Sequence, residues 1–125
     1  AGLMAAYDAD VFLSSANAIT DDGIMVNIDG NSNRVSCIAQ GPKKVVFIVG
    51  INKVCSDLDA AMKRARNVAA PVNAQRFEVK TPCKTTGKCF DCKSPDTICC
   101  QFLITRYSRH TGRIHVILVN DNLGF

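Results

Sequence analysis

The segment TPCKTTGKCFDCKSPDTICC, residues 81–100, holds five of the chain's seven cysteines. Cys89-x2-Cys92 puts two thiols on a tight turn whose backbone amides can point at sulfur, the way half of a tetrahedral metal site is built. With Cys83 ahead of this pair and Cys99 and Cys100 behind it, one loop can offer four ligands: Cys83, Cys89, Cys92 and Cys99. Gly87 permits the turn, Pro82 and Pro95 stiffen its flanks, and Lys84, Lys88 and Lys93 would offset thiolate charge. The spacing matches neither a two-pair zinc ribbon nor a bacterial ferredoxin run, so it does not choose between zinc and an iron–sulfur cluster. Two other readings stay open: reduced, partly buried thiols around a turn, and a redox-switchable disulfide between Cys89 and Cys92. Cys37 and Cys55 read as small buried hydrophobes. Lysines around the cysteines raise a zinc-knuckle nucleic-acid binder, but Phe90 is the only aromatic inside the loop, so nucleic acid is not an expected partner.

A second kind of chemistry sits in three polar loops. NAITDDG (17–23) and NIDGNSNR (27–34) are dense in Asn, Asp, Gly and Thr, and VGINK (49–53) ends in Asn52 and Lys53. Each lies where a strand meets the next element, the edge at which open α/β sheets bind ligands. Gly30 before a helix start would present free N–H groups to an anion, and Arg34 in the first turn adds charge. The expected ligand is therefore a small anion, with Asn17, Thr20, Asp22, Gly23 and Asn27 from the first strands, Gly30, Asn31, Asn33 and Arg34 at the helix start, and Asn52 and Lys53 beyond the third strand. Against this stands the fact that any turn uses Asn, Asp and Gly. Asp21 and Asp22 read as turn residues rather than an acid/base pair. His110 reads as solvated and His115 as facing outward on a strand, so no catalytic residue is assigned.

The bulk composition is compatible with both chemistries. The chain has 125 residues, 47% apolar and 21% charged, with net charge +4 and no Trp. That size supports one domain with a real core. No apolar run reaches the roughly 18 residues of a membrane helix. The start AGLMAAYDAD lacks a basic n-region and does not read as a signal peptide. An odd cysteine count without such a leader points to a reducing, cytoplasmic setting.

The elements that would position these groups follow from periodicity. GLMAAY reads as the end of a helix, residues 10–15 as a short buried strand, and residues 24–28 as a second strand between turn residues. A helix is expected from Ser32 or Asn33 through Gln40, burying Val35, Ile38 and Ala39, with Gly41 as its stop. KVVFIVG (44–50) reads as a parallel strand covered on both faces. Ser56 is expected to cap a helix with Ala61, Met62, Ala65 and Ala69 on one side and Lys63, Arg64 and Arg66 on the other, ending before Pro71. Residues 102–107 and 113–119 read as an antiparallel hairpin across SRHTG. The sum is α/β with a mixed sheet.

Across essentially the whole chain, the runs DADVFLSSANAITDDGIMVNIDGNSNRVSCIAQGPKKVVFIVGINKV, AAPVNAQR, TPCKTTGKCFDCKSPDTIC and IHVILVNDNLGF resemble the LUD domain of lactate-utilization proteins. The family domain is longer, and the resemblance is to its C-terminal part, so further strands, helices and a glycine-rich segment would precede this chain. The family is similar to the superfamily of sugar-phosphate isomerases, CoA transferases and initiation-factor regulatory subunits, whose pattern resembles Asp10, Asp22-Gly23, Asn27 and Gly30. The resemblance implies a three-layer, Rossmann-like α/β domain and a part in L-lactate oxidation to pyruvate beside iron–sulfur partner subunits. Its alternative is an isomerase- or transferase-like protein that binds an anionic metabolite and keeps its cysteines structural. A domain truncated at its N-terminus would leave a sheet edge open, which favours a homodimer.

Overall fold

The structure is a computed structural model and describes residues 2–125. Its first sheet is parallel throughout, with β1 (Val11–Ser14), β4 (Lys44–Gly50) and β7 (Ile114–Val119) in the order β1-β4-β7. The second is mixed, with β5 (Val54–Cys55), β2 (Ala18–Thr20), β3 (Met25–Asp29) and β6 (Gln101–Thr105) in the order β5-β2-β3-β6. The helices are α1 (Gly2–Tyr7), α2 (Asn33–Ala39), α3 (Leu58–Arg64), α4 (Ala70–Ala74) and α5 (Pro82–Thr86), with a π-helical stretch, Ala65–Ala69, joining α3 to α4. This is a mixed α/β, Rossmann-like architecture without a closed barrel.

Two apolar clusters bind the layers. Val45, Phe47 and Val49 of β4 alternate inward and meet Ile19 and Met25 of the second sheet and Ile38 of α2. On the other face of that sheet, Ala18, Val26 and Ile28 meet Ala61 and Ala65 of the long helical run. Small alanines let that run approach the strands closely, and burial of this apolar area is the main stabilising term. The outer face of the first sheet stays open: Leu13 is 65% exposed, and Val11, Ile48 and Ile117 are exposed beside it. The strand at residues 10–15 is thus half-exposed rather than buried, and β4 is covered on one face rather than two.

The expected hairpin is absent. β6 pairs antiparallel with β3, from Met25 opposite Thr105 to Asp29 opposite Gln101, whereas β7 pairs parallel with β4 in the other sheet. The apolar β4 offers β7 a second ladder. Arg113 locks the start of β7 there, its guanidinium donating to the carbonyls of Cys37 (3.0 Å), Ile38 (2.8 Å) and Pro42 (3.0 Å) at the end of α2. Those of Cys37 and Ile38, in the last turn of α2, are carbonyls that a helix end leaves without partners, and Pro42 lies just beyond it.

Smaller differences have equally local causes. The cap of α3 is Asp57, whose carboxylate accepts from Ala60 N at 2.8 Å, not Ser56. Pro71 lies inside the helical run: the π-helical stretch shifts the bonding pattern before it, and Pro71 enters α4 in its first turn, where a missing N–H costs little. Residues 18–20, expected as loop, form the buried β2, because Thr20 and Gly23 close a tight turn onto β3. Ala39 is exposed, and Cys37 takes its place on the buried side of α2.

Candidate functional site

β1 and β4 run parallel, so their carboxyl ends open at the same edge of the sheet. Ser15 follows β1, and the 3-10 turn Ile51–Lys53 follows β4. Their meeting is direct: Lys53 Nζ donates to Ser15 Oγ at 2.9 Å, although the lysine is only 6% exposed. Arg34, in the first turn of α2, donates to Ile28 O at 2.6 Å and to Asn17 Oδ1 at 3.4 Å. Arg64, at the end of α3, is turned inward, donating from Nη1 to Asn17 O (2.6 Å) and from Nε to Asn52 O (2.9 Å). The expectation that Arg64 covers the solvent side of its helix is corrected by these bonds.

Lys53 and Arg34 line a cavity of about 910 Å³, whose other walls come from the end of α4, the segment 95–100 and the C-terminal Phe125. Among the described residues, no carboxylate lies within ion-pair reach of Lys53, Arg34 or Arg64; the ion pairs are Lys43–Asp10, Lys63–Asp59, Arg66–Asp91 and Lys93–Asp91. The titration of these groups reflects that. Burial first, then the charges of Arg64 and Arg34, push the Lys53 ammonium below its ordinary value. Burial likewise lowers Arg34, with Asp29 pulling the other way, and lowers Arg64. Backbone carbonyls and amide oxygens hold the guanidinium groups of Arg34 and Arg64 in place without neutralising them, while Asp29 and Asp96 also line the cavity without forming an ion pair to Lys53 or Arg34.

The sequence candidates divide sharply. Asn17, Gly30, Asn31, Asn33, Arg34 and Lys53 all line this cavity. Thr20, Asp22 and Gly23 instead build the β2–β3 turn, where Thr20 Oγ1 bonds Asp22 and accepts from Ile24 N at 2.8 Å. Asn27 is fully buried, its Nδ2 donating to Ser15 O at 2.9 Å. Asn52 ties down the C-terminus, accepting from Leu123 N at 3.1 Å. The start of α2 is not a free anion site either, since Asp29 Oδ2 already accepts from Arg34 N (2.9 Å) and Val35 N (3.1 Å). Charge for a ligand comes from side chains, not from the helix end. Ser15 and Arg64 were not legible as site residues: a lone serine after a strand carries no signal, and an arginine on a helix reads as surface.

The cysteine segment forms a separate, small cavity of about 30 Å³, lined by Cys83, Cys89, Cys92 and Cys99 with Arg66 and Phe102. Cys83 is carried on the short α5, and Gly87 ends that helix in the left-handed conformation. The expected amide-to-sulfur contact exists, Asp91 N donating to Cys89 Sγ at 3.3 Å. Cys92 Sγ meets Thr97 Oγ1 at 3.5 Å, and Cys83 Sγ meets Thr81 Oγ1 at 3.4 Å. Burial, followed by the neighbouring Cys89, Cys83, Cys92 and Cys100, pushes the Cys99 thiol up to about 11. All seven cysteines are free, and among the described residues no group of three His, Cys, Asp or Glu side chains takes an arrangement that could hold a metal ion. The lysines expected to offset thiolate charge serve other partners: Lys93 pairs with Asp91 and Lys84 bonds Phe77 O. Arg66, which the sequence gave no reason to place here, is the cation beside the sulfurs, and Cys89 first, then Asp91, push its guanidinium up.

His110 is exposed, and His115 is exposed with Nε2 at 2.7 Å from Gly112 O, as expected of strand and turn histidines. Among the described residues, no helix is long and apolar enough to cross a membrane. A family model described as "LUD domain" matches residues 4–119. No curated protein and no solved structure matches the chain.

Proposed function

The chain belongs to the LUD domain family, which is associated with lactate utilization, and from that premise we propose that it binds a small anionic metabolite in the cavity lined by Lys53 and Arg34. The observation that carries this is the charge without an ion pair: Lys53 and Arg34 line one cavity, Arg64 adds its charge to the field on Lys53, and no carboxylate of the described residues forms an ion pair with any of the three. Burying positive charge without a partner is costly, and a bound carboxylate or phosphate would remove that cost. L-Lactate and pyruvate are the first candidates, in keeping with a part in L-lactate oxidation; sugar phosphates and CoA esters are the candidates of the isomerase- or transferase-like reading. Thermal denaturation in the presence of each ligand tests the proposal. A ligand that binds only the folded chain adds about 2.7 kcal/mol when present at a hundred times its Kd. The expected result is a saturable rise in Tm with at least one of these anions, lost in Arg34→Met and Lys53→Met. No rise with any of them, or the same rise in both variants, overturns it.

One observation favours a second reading. Cys83, Cys89, Cys92 and Cys99 line one small cavity, and this clustering of four thiols is what supports a soft metal ion, zinc or an iron–sulfur cluster, with iron–sulfur subunits as partners. Elemental analysis of protein purified without oxygen decides it. Near-stoichiometric zinc or iron, lost in Cys89→Ser, supports the metal; metal-free protein with intact cavity thiols leaves the cysteines structural.

A further inference from the structure

The geometry points to Lys53 as a nucleophilic amine that forms an imine with an anionic carbonyl compound, a 2-oxo acid or the open chain of a sugar phosphate, bound in the cavity beside it. This deepens the anion-binding reading and rests on it. Lys53 differs from the three lysines that form ion pairs among the described residues. Lys43, Lys63 and Lys93 are exposed and each pairs with a carboxylate, at 3.5, 3.0 and 3.1 Å. Lys53 is buried, lines a cavity large enough for a metabolite, and has a hydroxyl, Ser15 Oγ, as its hydrogen-bond partner. Its stem is fenced in by the C-terminal segment: a Cβ on Gly124 would lie 3.2 Å from Nζ. Such a confined amine pays little entropy to react.

Protonation favours the same reading. Desolvation and two neighbouring guanidinium groups disfavour the ammonium form of Lys53, which favours the free amine that a nucleophile needs. A positive site also favours a substrate that brings its own negative charge, and Arg34 on the same cavity wall is placed to receive it. In the reaction, the Nζ lone pair attacks the carbonyl carbon and a C–N bond forms. The carbonyl oxygen takes up one of the two protons of the attacking nitrogen to give a neutral carbinolamine. That oxygen then leaves as water, taking the second nitrogen proton with it as the C=N bond closes. No oxidant or reductant enters, and the Ser15 hydroxyl, in contact with Nζ, is positioned to pass a proton.

Reductive trapping tests this on the whole, unmodified chain. The protein is incubated with pyruvate in one arm and ribose 5-phosphate in another, each with cyanoborohydride at neutral pH, and adducts are mapped by peptide mass spectrometry. The expected result is an adduct at Lys53 enriched on the order of tenfold over Lys43 and Lys63 in at least one arm, and the labelled arm identifies the source of the carbonyl. Inorganic phosphate or L-lactate in excess should slow labelling at Lys53 and leave the surface lysines unaffected. Labelling of Lys53 no faster than of Lys43 and Lys63 in both arms overturns the proposal. If the same anions still raise Tm in that case, the binding reading survives and only the imine falls. Labelling that anions do not slow also overturns it, because the amine would then react without the anion site. Mapping on the wild-type chain needs no variant, and Lys53→Arg, checked for folding by circular dichroism, should abolish the adduct.

Discussion

Cys99 lines the thiol cavity and its neighbours Ile98 and Cys100 line the cation cavity, yet the two are built in opposite ways. The thiol cavity draws its cysteines from residues 83–99, and three of its sulfurs meet a polar group within five positions along the chain. The cation cavity gathers Ser15, Arg34 and Lys53 from separate parts of the chain, and Arg64 braces its wall residue Asn17 across 47 positions. Local chemistry satisfies the first by itself. The second is held in place by long-range bonds to backbone carbonyls, and its cations form no ion pair among the described residues, which is the ground for proposing an anion there.

The largest effect should come from breaking the frame of the cation cavity. Arg64→Ala removes two charge-assisted bonds to Asn17 O and Asn52 O and leaves both carbonyls without that donor. It should cost about 3 kcal/mol in urea denaturation and abolish anion binding together. Arg113→Ala, which strips three carbonyls at the end of α2, should cost about 2 kcal/mol while leaving the anion response in place. That pair separates a site residue from a purely architectural one.

Removing charge rather than framework should have the opposite sign. Lys53→Met deletes a buried ammonium repelled by Arg64 and Arg34, so the ligand-free variant should be as stable as the parent or more stable by about 1 kcal/mol. The pH dependence follows from the same group. The unfolded chain keeps its lysine protons up to about pH 10.4, whereas folded Lys53 releases its proton earlier. Just below that pH the native chain binds fewer protons, so stability should rise with pH through this window. The rise should vanish in Lys53→Met. Cys99, protonated up to about 11 in the fold, gives a slope of opposite sign between the ordinary thiol range and that value, but it is common to both proteins and cancels in their difference. The smallest effect is expected at the thiols: Cys89→Ser should change stability by less than about 1 kcal/mol and leave the anion response unaltered.

The same contrast explains what the sequence could tell. Strands with a strong apolar run, KVVFIVG above all, and the helix starting at Asn33 were legible because local pattern decides them. The pairing of β6 and β7 was not. A short polar link between two strands reads as a hairpin, and only Arg113, reaching back over 70 positions to the end of α2, sends β7 to the other sheet. The cysteine cavity was visible from spacing, but spacing gave its members and not their separation. In the cation cavity, Arg34 and Lys53 were found from their places after strands. Ser15 and Arg64 were hidden because their roles exist only once β1, β4 and α3 have come together. Thr20, Asp22 and Gly23 read as ligand residues in the sequence but build the β2–β3 turn, since a turn and a binding loop use the same residue types.

The account stands most directly on one measurement: the Tm of the parent and Lys53→Met, side by side, with and without saturating pyruvate, L-lactate or inorganic phosphate. The account predicts a ligand-free variant that melts no lower than the parent, and a rise in Tm with an anion in the parent alone. A variant that melts lower without ligand and still gains the full rise would contradict it.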